Sequence, residues 1–154
     1  MQTAIFPGTF DPFTLGHASV IRRGFRLFDR IIIAIGVNDS KKTMFSIDQR
    51  LEQIRACYAN EPRIEVCFYE GLTVNFARQK NAGFILRGVR LLSDFEYERL
   101  LSDVNQKISE IDTIFLFTEP KYSCIQSNVV RELLKYNQDI KDFVPAEIIK
   151  LLKK

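Results

Sequence analysis

Five short stretches of this chain hold most of the side chains that could act on a phosphate group. The first runs Gly8-Thr9-Phe10-Asp11-Pro12-Phe13-Thr14-Leu15-Gly16-His17 and ends on the only histidine present. It is neither a Walker loop nor a G-x-G-x-x-G fingerprint. Its mechanics nevertheless suit an anion. A loop that leaves a strand and enters a helix presents free backbone N–H groups and the positive helix end to a ligand. Gly16 permits close backbone approach, and Thr9 offers a hydroxyl. His17 falls in the first helical turn, where the helix dipole disfavours imidazolium. The expected form is a neutral ring donating one N–H to a phosphate oxygen. The competing reading is a helix cap or a surface histidine. Asp11, set between Phe10 and Pro12, reads as a turn-former rather than a metal ligand.

Cations follow in two places. Lys41 and Lys42 lie in the polar segment Asn38 to Phe45, either as solvated surface or as flexible charges reaching a phosphate. Arg87-Gly88-Val89-Arg90 places two planar guanidinium groups around a glycine, a pattern matched to phosphate geometry. Downstream, Ser93 and Glu96 have capping-box spacing, whereas Glu98 has no such local explanation. Tyr122-Ser123-Cys124-Ile125-Gln126-Ser127-Asn128 precedes a helical pattern, with Ser127 or Asn128 as its N-cap and a second helix N-terminus aimed at phosphates. Arg22, Arg23 and Arg26 read as a solvated helix face. No Ser-His-Asp, Cys-His or paired-carboxylate arrangement can be argued. The chemistry these residues support is phosphoryl or nucleotidyl transfer, which rests on positioning and charge neutralisation rather than on a protein nucleophile.

The elements that must position them alternate in type. Thr3 to Phe6 reads as a strand, followed by a helix with Val20, Ile21, Gly24, Phe25 and Phe28 on one face. Ile31 to Val37 is a near-continuous apolar run, the mark of a strand covered on both sides. Ser46 and Gln49 form a capping box ahead of Ile47, Leu51, Ile54 and Tyr58 at helical period. Ile64, Val66 and Phe68 alternate as a strand; Thr73 to Lys80 is a short helix; Phe84 to Leu86 is a fourth strand. Ser93 opens a helix with Tyr97, Leu101, Val104 and Ile108 on one face. Thr113 to Phe117 is a fifth strand, and Val129, Val130, Leu133 and Leu134 mark the next helix. Pro145 suits the first turn of a last one. This alternation predicts an α/β fold: a Rossmann-like, doubly wound sheet of about five parallel strands with helices on both faces, formed by residues 1–154 as a single domain. Ligands of such sheets sit at the carboxyl ends of the strands near a topological switch point. The loops expected there are Pro7 to Gly16, Val37 to Phe45, Glu70 to Val74, Arg87 to Ser93 and Thr118 to Gln126. They carry most of the residues named above.

Composition sets the outer limits. With 154 residues, 46% hydrophobic and 27% charged, the chain can bury a core and is not of disordered type. The net charge of +3 is too mild to indicate nucleic-acid binding and suits a small phosphorylated ligand. No apolar run has the length of a membrane span, and no signal peptide is legible, so the expected location is the cytoplasm. Cys57, Cys67 and Cys124 form no C-x-x-C pair. With one histidine this argues against a structural metal site and for free thiols.

On these motifs the sequence resembles the bacterial phosphopantetheine adenylyltransferase family. Gly8-Thr9-Phe10-Asp11-Pro12 with Thr14-Leu15-Gly16-His17 marks the wider T/H-x-G-H nucleotidyltransferase superfamily. Ser40-Lys41-Lys42 with Met44-Phe45, Asn75-Phe76-Ala77, Arg87-Gly88-Val89-Arg90 and Asp94-Phe95-Glu96-Tyr97-Glu98 point to the pantetheine branch. The resemblance implies AMP transfer from Mg-ATP to 4′-phosphopantetheine, giving dephospho-coenzyme A and pyrophosphate. It implies that Thr9, Lys41, Thr73 and Arg87 bind the phosphopantetheine. Thr9, Phe10, His17, Gly88, Val89, Arg90, Glu98 and the stretch Tyr122, Ser123, Cys124, Ile125, Gln126, Ser127, Asn128 would line the ATP site. His17 would stabilise the transition state. Mg²⁺ accompanying ATP, no metal held by the protein alone, dephospho-coenzyme A or coenzyme A as a further ligand, and a homohexamer are likewise implied. One departure stands out: the family's Ile-Ser-Ser-Ser or Ile-Ser-Ser-Thr is here Ile125-Gln126-Ser127-Asn128. The nearest alternative is an adenylyltransferase of nicotinate mononucleotide, which usually has His at the position of Thr14. The alternative from another class is a non-catalytic nucleotide-binding α/β domain.

Overall fold

The computed structural model describes residues 1–153. The elements are β1 (Thr3–Gly8), α1 (Leu15–Gly24), β2 (Arg30–Gly36), α2 (Ile47–Cys57), β3 (Ile64–Tyr69), α3 (Thr73–Gln79), β4 (Phe84–Val89), α4 (Leu92–Ser109), β5 (Asp112–Phe117), α5 (Ser127–Lys135) and α6 (Ala146–Leu152). All five strands are parallel, in the order β3-β2-β1-β4-β5. The doubly wound α/β sheet expected from the alternation of elements is therefore present.

Ile31, Ile32, Ile33, Ala34 and Ile35 are fully buried, because β2 is covered on both faces. One layer joins Ile31, Ile33 and Ile35 to Val20 and Ile21 of α1, Leu51 and Ile54 of α2, Val130 of α5 and Ile148 of α6. The other joins Ile5, Ile32 and Ala34 to Val74, Phe76 and Ala77 of α3. Burial of a side chain of this size contributes roughly 1.5–3 kcal/mol, so these alternating isoleucines are the main driving force for closing both layers.

The order reverses between β1 and β4. β1 pairs with β2 over six positions, Thr3 to Gly8, but with β4 over two only, Ala4 with Phe84 and Ile5 with Ile85. Beyond Ile5 and Ile85 the two strands separate, and a cleft opens between Phe6-Pro7-Gly8 and Leu86-Arg87-Gly88. Gly88 lets α1 close against β4 there: a Cβ at this position would come within 2.8 Å of Val20 Cγ2.

Several boundaries differ from expectation. β4 runs to Val89, not Leu86, because Arg87, Gly88 and Val89 pair with Phe115, Leu116 and Phe117 of β5. Arg87 is thus a strand residue, not a loop residue. α4 begins at Leu92 with Leu91 at the N-cap, and Asp94 accepts the Leu91 N–H at 3.3 Å, so Ser93 and Glu96 are not its capping box. α5 has Gln126 at its N-cap with no side-chain cap bond, in place of Ser127 or Asn128. Pro145 sits at the N-cap of α6, immediately ahead of its first turn. Arg22 and Arg23 are not merely solvated: Arg22 pairs with Glu119 at 2.6 Å, and Arg23 donates to the Phe117 carbonyl, tying α1 to the end of β5. Among the described residues no helix is long and apolar enough to cross a membrane.

Candidate active site

The cleft has two lobes at the carboxyl ends of the strands. The larger, about 590 Å³, is lined by Thr9, Phe10 and His17 from the first loop and α1, by Arg87 and Gly88 of β4 and Arg90 just after it, and by the start of α5. The smaller, about 370 Å³, is lined by Lys41, Tyr69, Thr73 and Asn105. Pro7, Gly8, Thr9, Arg87, Tyr97 and Glu98 belong to both walls, so the lobes meet where β1 and β4 part. Both volumes are of the size that takes a small organic ligand.

His17 is held by its own helix start. Thr14 is the N-cap of α1, and its backbone N–H donates to His17 Nδ1 at 3.0 Å. The Thr14 hydroxyl lies 3.1 Å from the same nitrogen and accepts the His17 N–H at 3.4 Å. With Nδ1 accepting from the backbone, the ring proton sits on Nε2, which leaves a donor for the cleft. The imidazole is packed among Phe10, Phe13 and Phe6, with ring centroids 5.0, 5.4 and 6.3 Å away. Burial lowers its pKa to about 3, and the positive charges of Arg90 and then Arg87 push the same way. The expected neutral ring is found, but desolvation and the two guanidinium groups hold it neutral; the helix dipole is not needed as the leading cause.

Each of the three guanidinium nitrogens of Arg87 makes one bond within the protein. Its Nε donates to Glu98 Oε2 at 2.8 Å, its Nη2 donates to Glu98 Oε1, and its Nη1 donates to the Pro7 carbonyl. Glu98, whose side chain is 13% exposed, therefore serves Arg87 directly. The pair bridges α4, β4 and β1 at the junction of the lobes. An anion arriving there meets a guanidinium already oriented by a bidentate carboxylate. Arg90 lies 3.5 Å from Asp94 and also faces the larger lobe.

Not every expected site residue reaches the cleft. Ile125, Gln126, Ser127 and Asn128 line the larger lobe, but Tyr122, Ser123 and Cys124 do not. Ser123 turns its hydroxyl back to the Pro120 carbonyl at 2.9 Å, and Cys124 is exposed. Val89 is buried, and its backbone carbonyl accepts the Thr118 N–H at 2.8 Å. Ser127 has a structural use: its hydroxyl donates to the Pro12 carbonyl at 2.8 Å and so joins α5 to the first loop. In Asn128 the side-chain Oδ1 accepts the Val129 N–H at 2.9 Å. The Thr73 hydroxyl is bonded to Tyr69 at 2.7 Å, so it reaches the smaller lobe already partnered. Arg131, Thr118 and Tyr97 also line the larger lobe. From sequence, Tyr97 stands only on a helix face and in a family motif, Thr118 only at the start of a loop, and Arg131 nowhere in the site. Arg131 sits one helical turn after Ser127, and that spacing on an amphipathic helix was the available signal. Among the described residues no group of three potential ligands is placed to hold a metal ion.

Residues 5–133 match the family described as cytidylyltransferase-like. The chain is 54% identical over 145 residues to a phosphopantetheine adenylyltransferase of Bacteroides fragilis, covering 94% of this chain and 97% of that protein. A protein of the same name from Porphyromonas gingivalis is 49% identical over 146 residues, covering 95% of each. One from Synechococcus elongatus is 45% identical over 148 residues, covering 96% of this chain and 89% of that protein.

The state of His17 can be measured directly, since the single imidazole gives one unambiguous set of nuclear magnetic resonance signals. A neutral Nε2–H ring is expected, with nitrogen shifts constant from about pH 8 to about pH 5; a midpoint near the ordinary value of about 6.5 would refute the assignment. The unfolded chain binds a proton on this ring below about 6.5 and the folded chain only near 3. Stability is therefore lost as pH falls through that window. His17→Gln should unfold in urea with a smaller drop in midpoint between pH 7 and pH 5 than the parent protein.

Proposed function

Because the chain belongs to the phosphopantetheine adenylyltransferases of the cytidylyltransferase-like family, we propose that it transfers AMP from ATP to 4′-phosphopantetheine, releasing pyrophosphate and dephospho-coenzyme A. The observation that carries this reading is the two-lobed cleft whose lobes meet beside Thr9 and Arg87, with the neutral His17 on the wall of the larger lobe. A transfer between two bound phosphorylated molecules needs two compartments and one shared cationic junction.

ATP occupies the larger lobe, with its phosphates towards Arg90 and the starts of α1 and α5. In α1 the Leu15 and His17 N–H groups are already taken by Phe143 and Thr14, so the first turn of α5 is the better-placed set of N–H donors for an anion. The acceptor lies in the smaller lobe with its phosphate towards Lys41, Thr9 and Arg87. An acceptor phosphate oxygen attacks the α-phosphorus, the bond to the bridging oxygen breaks, and pyrophosphate leaves. His17 donates Nε2–H to a non-bridging oxygen of the α-phosphate as negative charge builds there. A neutral ring suits this role because it keeps its proton throughout. No protein nucleophile is required.

Mg²⁺ bound to the triphosphate as part of the substrate would spread its charge. The carboxylates at the cleft do not form a cage for it: Glu98 is held by Arg87, Asp94 lies beside Arg90, and both oxygens of Asp11 accept backbone N–H groups. The ion is therefore taken as part of the nucleotide. The reaction belongs in the cytoplasm, where ATP is supplied.

Self-association is the second part of the proposal. α4 has 18 residues, and Ser109 is its one buried residue. Leu92, Tyr97, Leu100, Val104 and Ile108 are exposed along it, more apolar surface than a free helix face ordinarily shows. Copies of this chain cover that face in a homohexamer. Light scattering behind gel filtration should give about six times the 17.9 kDa chain mass; a monomer at micromolar concentration would remove this part.

The activity is tested by pyrophosphate release from Mg-ATP with 4′-phosphopantetheine, with nicotinate mononucleotide or with no acceptor. Release is expected with the first alone, and only with a divalent ion present; equal turnover with nicotinate mononucleotide would displace the reading. In the same assay His17→Ala should lower kcat by roughly 10²–10³-fold, the scale for losing one transition-state donor. An unchanged kcat in the folded variant would take the role from His17.

A further inference from the structure

Asp11 reads from the sequence as a turn-former, and its surroundings give it a different task. It is 3% exposed, and a carboxylate so far from water is costly unless its oxygens are satisfied. They are satisfied from another loop: Oδ2 accepts the Met44 N–H at 2.8 Å, and Oδ1 accepts the Phe45 N–H at 2.9 Å. The nearest cation is Arg131, whose Nη1 is 3.9 Å from Oδ2 and donates to the backbone carbonyl of Asp11 at 2.7 Å.

Met44 and Phe45 close the segment that carries Lys41. Within that segment the bonds are local: Lys41 N–H to the Asn38 carbonyl at 3.0 Å, and the Ser40 N–H and hydroxyl to Asn38 Oδ1 at 3.0 and 2.6 Å. Its hydrogen bonds to the rest of the described residues are the two to Asp11 and one from Arg50, whose Nε donates to the Phe45 carbonyl at 3.1 Å. Arg50 is itself buried and places Nη1 on the Thr9 carbonyl at 2.7 Å. A buried anion in the first loop and a buried cation in α2 thus fasten the same two loops together.

The direction of Asp11 is fixed by strain beside it. Phe10 has φ of 51°, a left-handed conformation that a bulky L-residue rarely adopts and that persists only when its surroundings over-determine it. Here Arg50 holds the carbonyl before Phe10 and Arg131 holds the carbonyl after it.

We propose that Asp11 is a positioning residue for the acceptor half of the reaction: by clamping the N–H groups of Met44 and Phe45 it holds the 38–45 segment so that Lys41 stands on the wall of the smaller lobe, which also contains Arg87. The proposal rests on the adenylyl-transfer reading for what Lys41 touches. Asp11 itself contacts no substrate; its effect passes through the loop.

Asp11→Asn keeps the shape but sets an amide donor against one of the two N–H groups. Three variants, Asp11→Asn, Lys41→Ala and the double, are compared in pyrophosphate release, with kcat and both KM values. Pyrophosphate release by the parent protein with 4′-phosphopantetheine settles the underlying reading before any variant is judged. Asp11→Asn should then raise the acceptor KM about tenfold, one hydrogen bond's worth, and the ATP KM by less than about twofold. In the Lys41→Ala background it should add less than about twofold, since a residue that acts through Lys41 has nothing left to position. Trypsin should cut the Lys41–Lys42 bond faster in Asp11→Asn while cleavage elsewhere keeps its rate. Should Asp11→Asn fail to fold, Arg50→Gln loosens the same segment from the other side and should show the same coupling to Lys41. Independent, multiplying effects of the two substitutions, equal loss for ATP and acceptor, an unchanged acceptor KM in Lys41→Ala, or an unchanged tryptic rate would each overturn the proposal.

Discussion

The separation of β1 from β4 is the constraint on which the site depends. Two parallel strands that stayed in register to their ends would satisfy each other's backbone groups and leave no opening. The backbone ladder between these two is limited to Ala4 and Ile5 against Phe84 and Ile85. The order of the sheet makes that separation possible, because the chain leaves β1 towards β2 on one side and β4 towards β5 on the other. The polar groups freed by it are then taken up by side chains, as when Arg87 donates to the Pro7 carbonyl across the gap.

What fills the gap is a set of charges that restrain one another. Arg87 is oriented by Glu98, Arg90 lies by Asp94, and Asp11 is held between backbone N–H groups and Arg131. The uncharged member is His17, and it stays uncharged because it is dry and faces two guanidinium groups. A site with several cations and one neutral donor can gather phosphates by charge and still present a hydrogen bond of fixed direction. Preorganisation of this kind is the largest contribution that a transfer without a protein nucleophile can draw on.

Local pattern made part of this legible. The apolar run Ile31 to Val37 and the helical period of Ile47, Leu51 and Ile54 identify their elements because the burial of each residue is set by its own strand or helix. The Gly8 to His17 stretch could be placed at a strand-to-helix turn on the same grounds. The remainder depends on bonds between residues far apart in the chain. The last three residues of β4 are strand because β5 lies beside them; Ser127 looks like a cap until its hydroxyl is seen on Pro12; Asp11 looks like a turn residue until Met44 and Phe45 are found against it. The Lys41 segment and the Arg87 strand were assigned to a phosphate on residue type and resemblance. Their shared lobe is a property of the assembled sheet. The exposed face of α4 has ordinary helical periodicity, so sequence alone could not tell whether it meets the core of its own chain or something else.

The corner formed by Gly8, Phe10 and His17 also bears on how such a site can change over generations. A side chain at position 8 would strike the Phe10 ring, with a Cβ 2.7 Å from its tip, and that ring packs edge-on against the imidazole at 5.0 Å. Glycine at position 10 would relax the left-handed backbone but would open a hole beside His17. A smaller ring there would admit water and return the histidine towards ordinary titration. Each single replacement thus passes through a clash, a void or a wetter imidazole. The three positions form one heritable unit, and a lineage can leave it only by several substitutions made together.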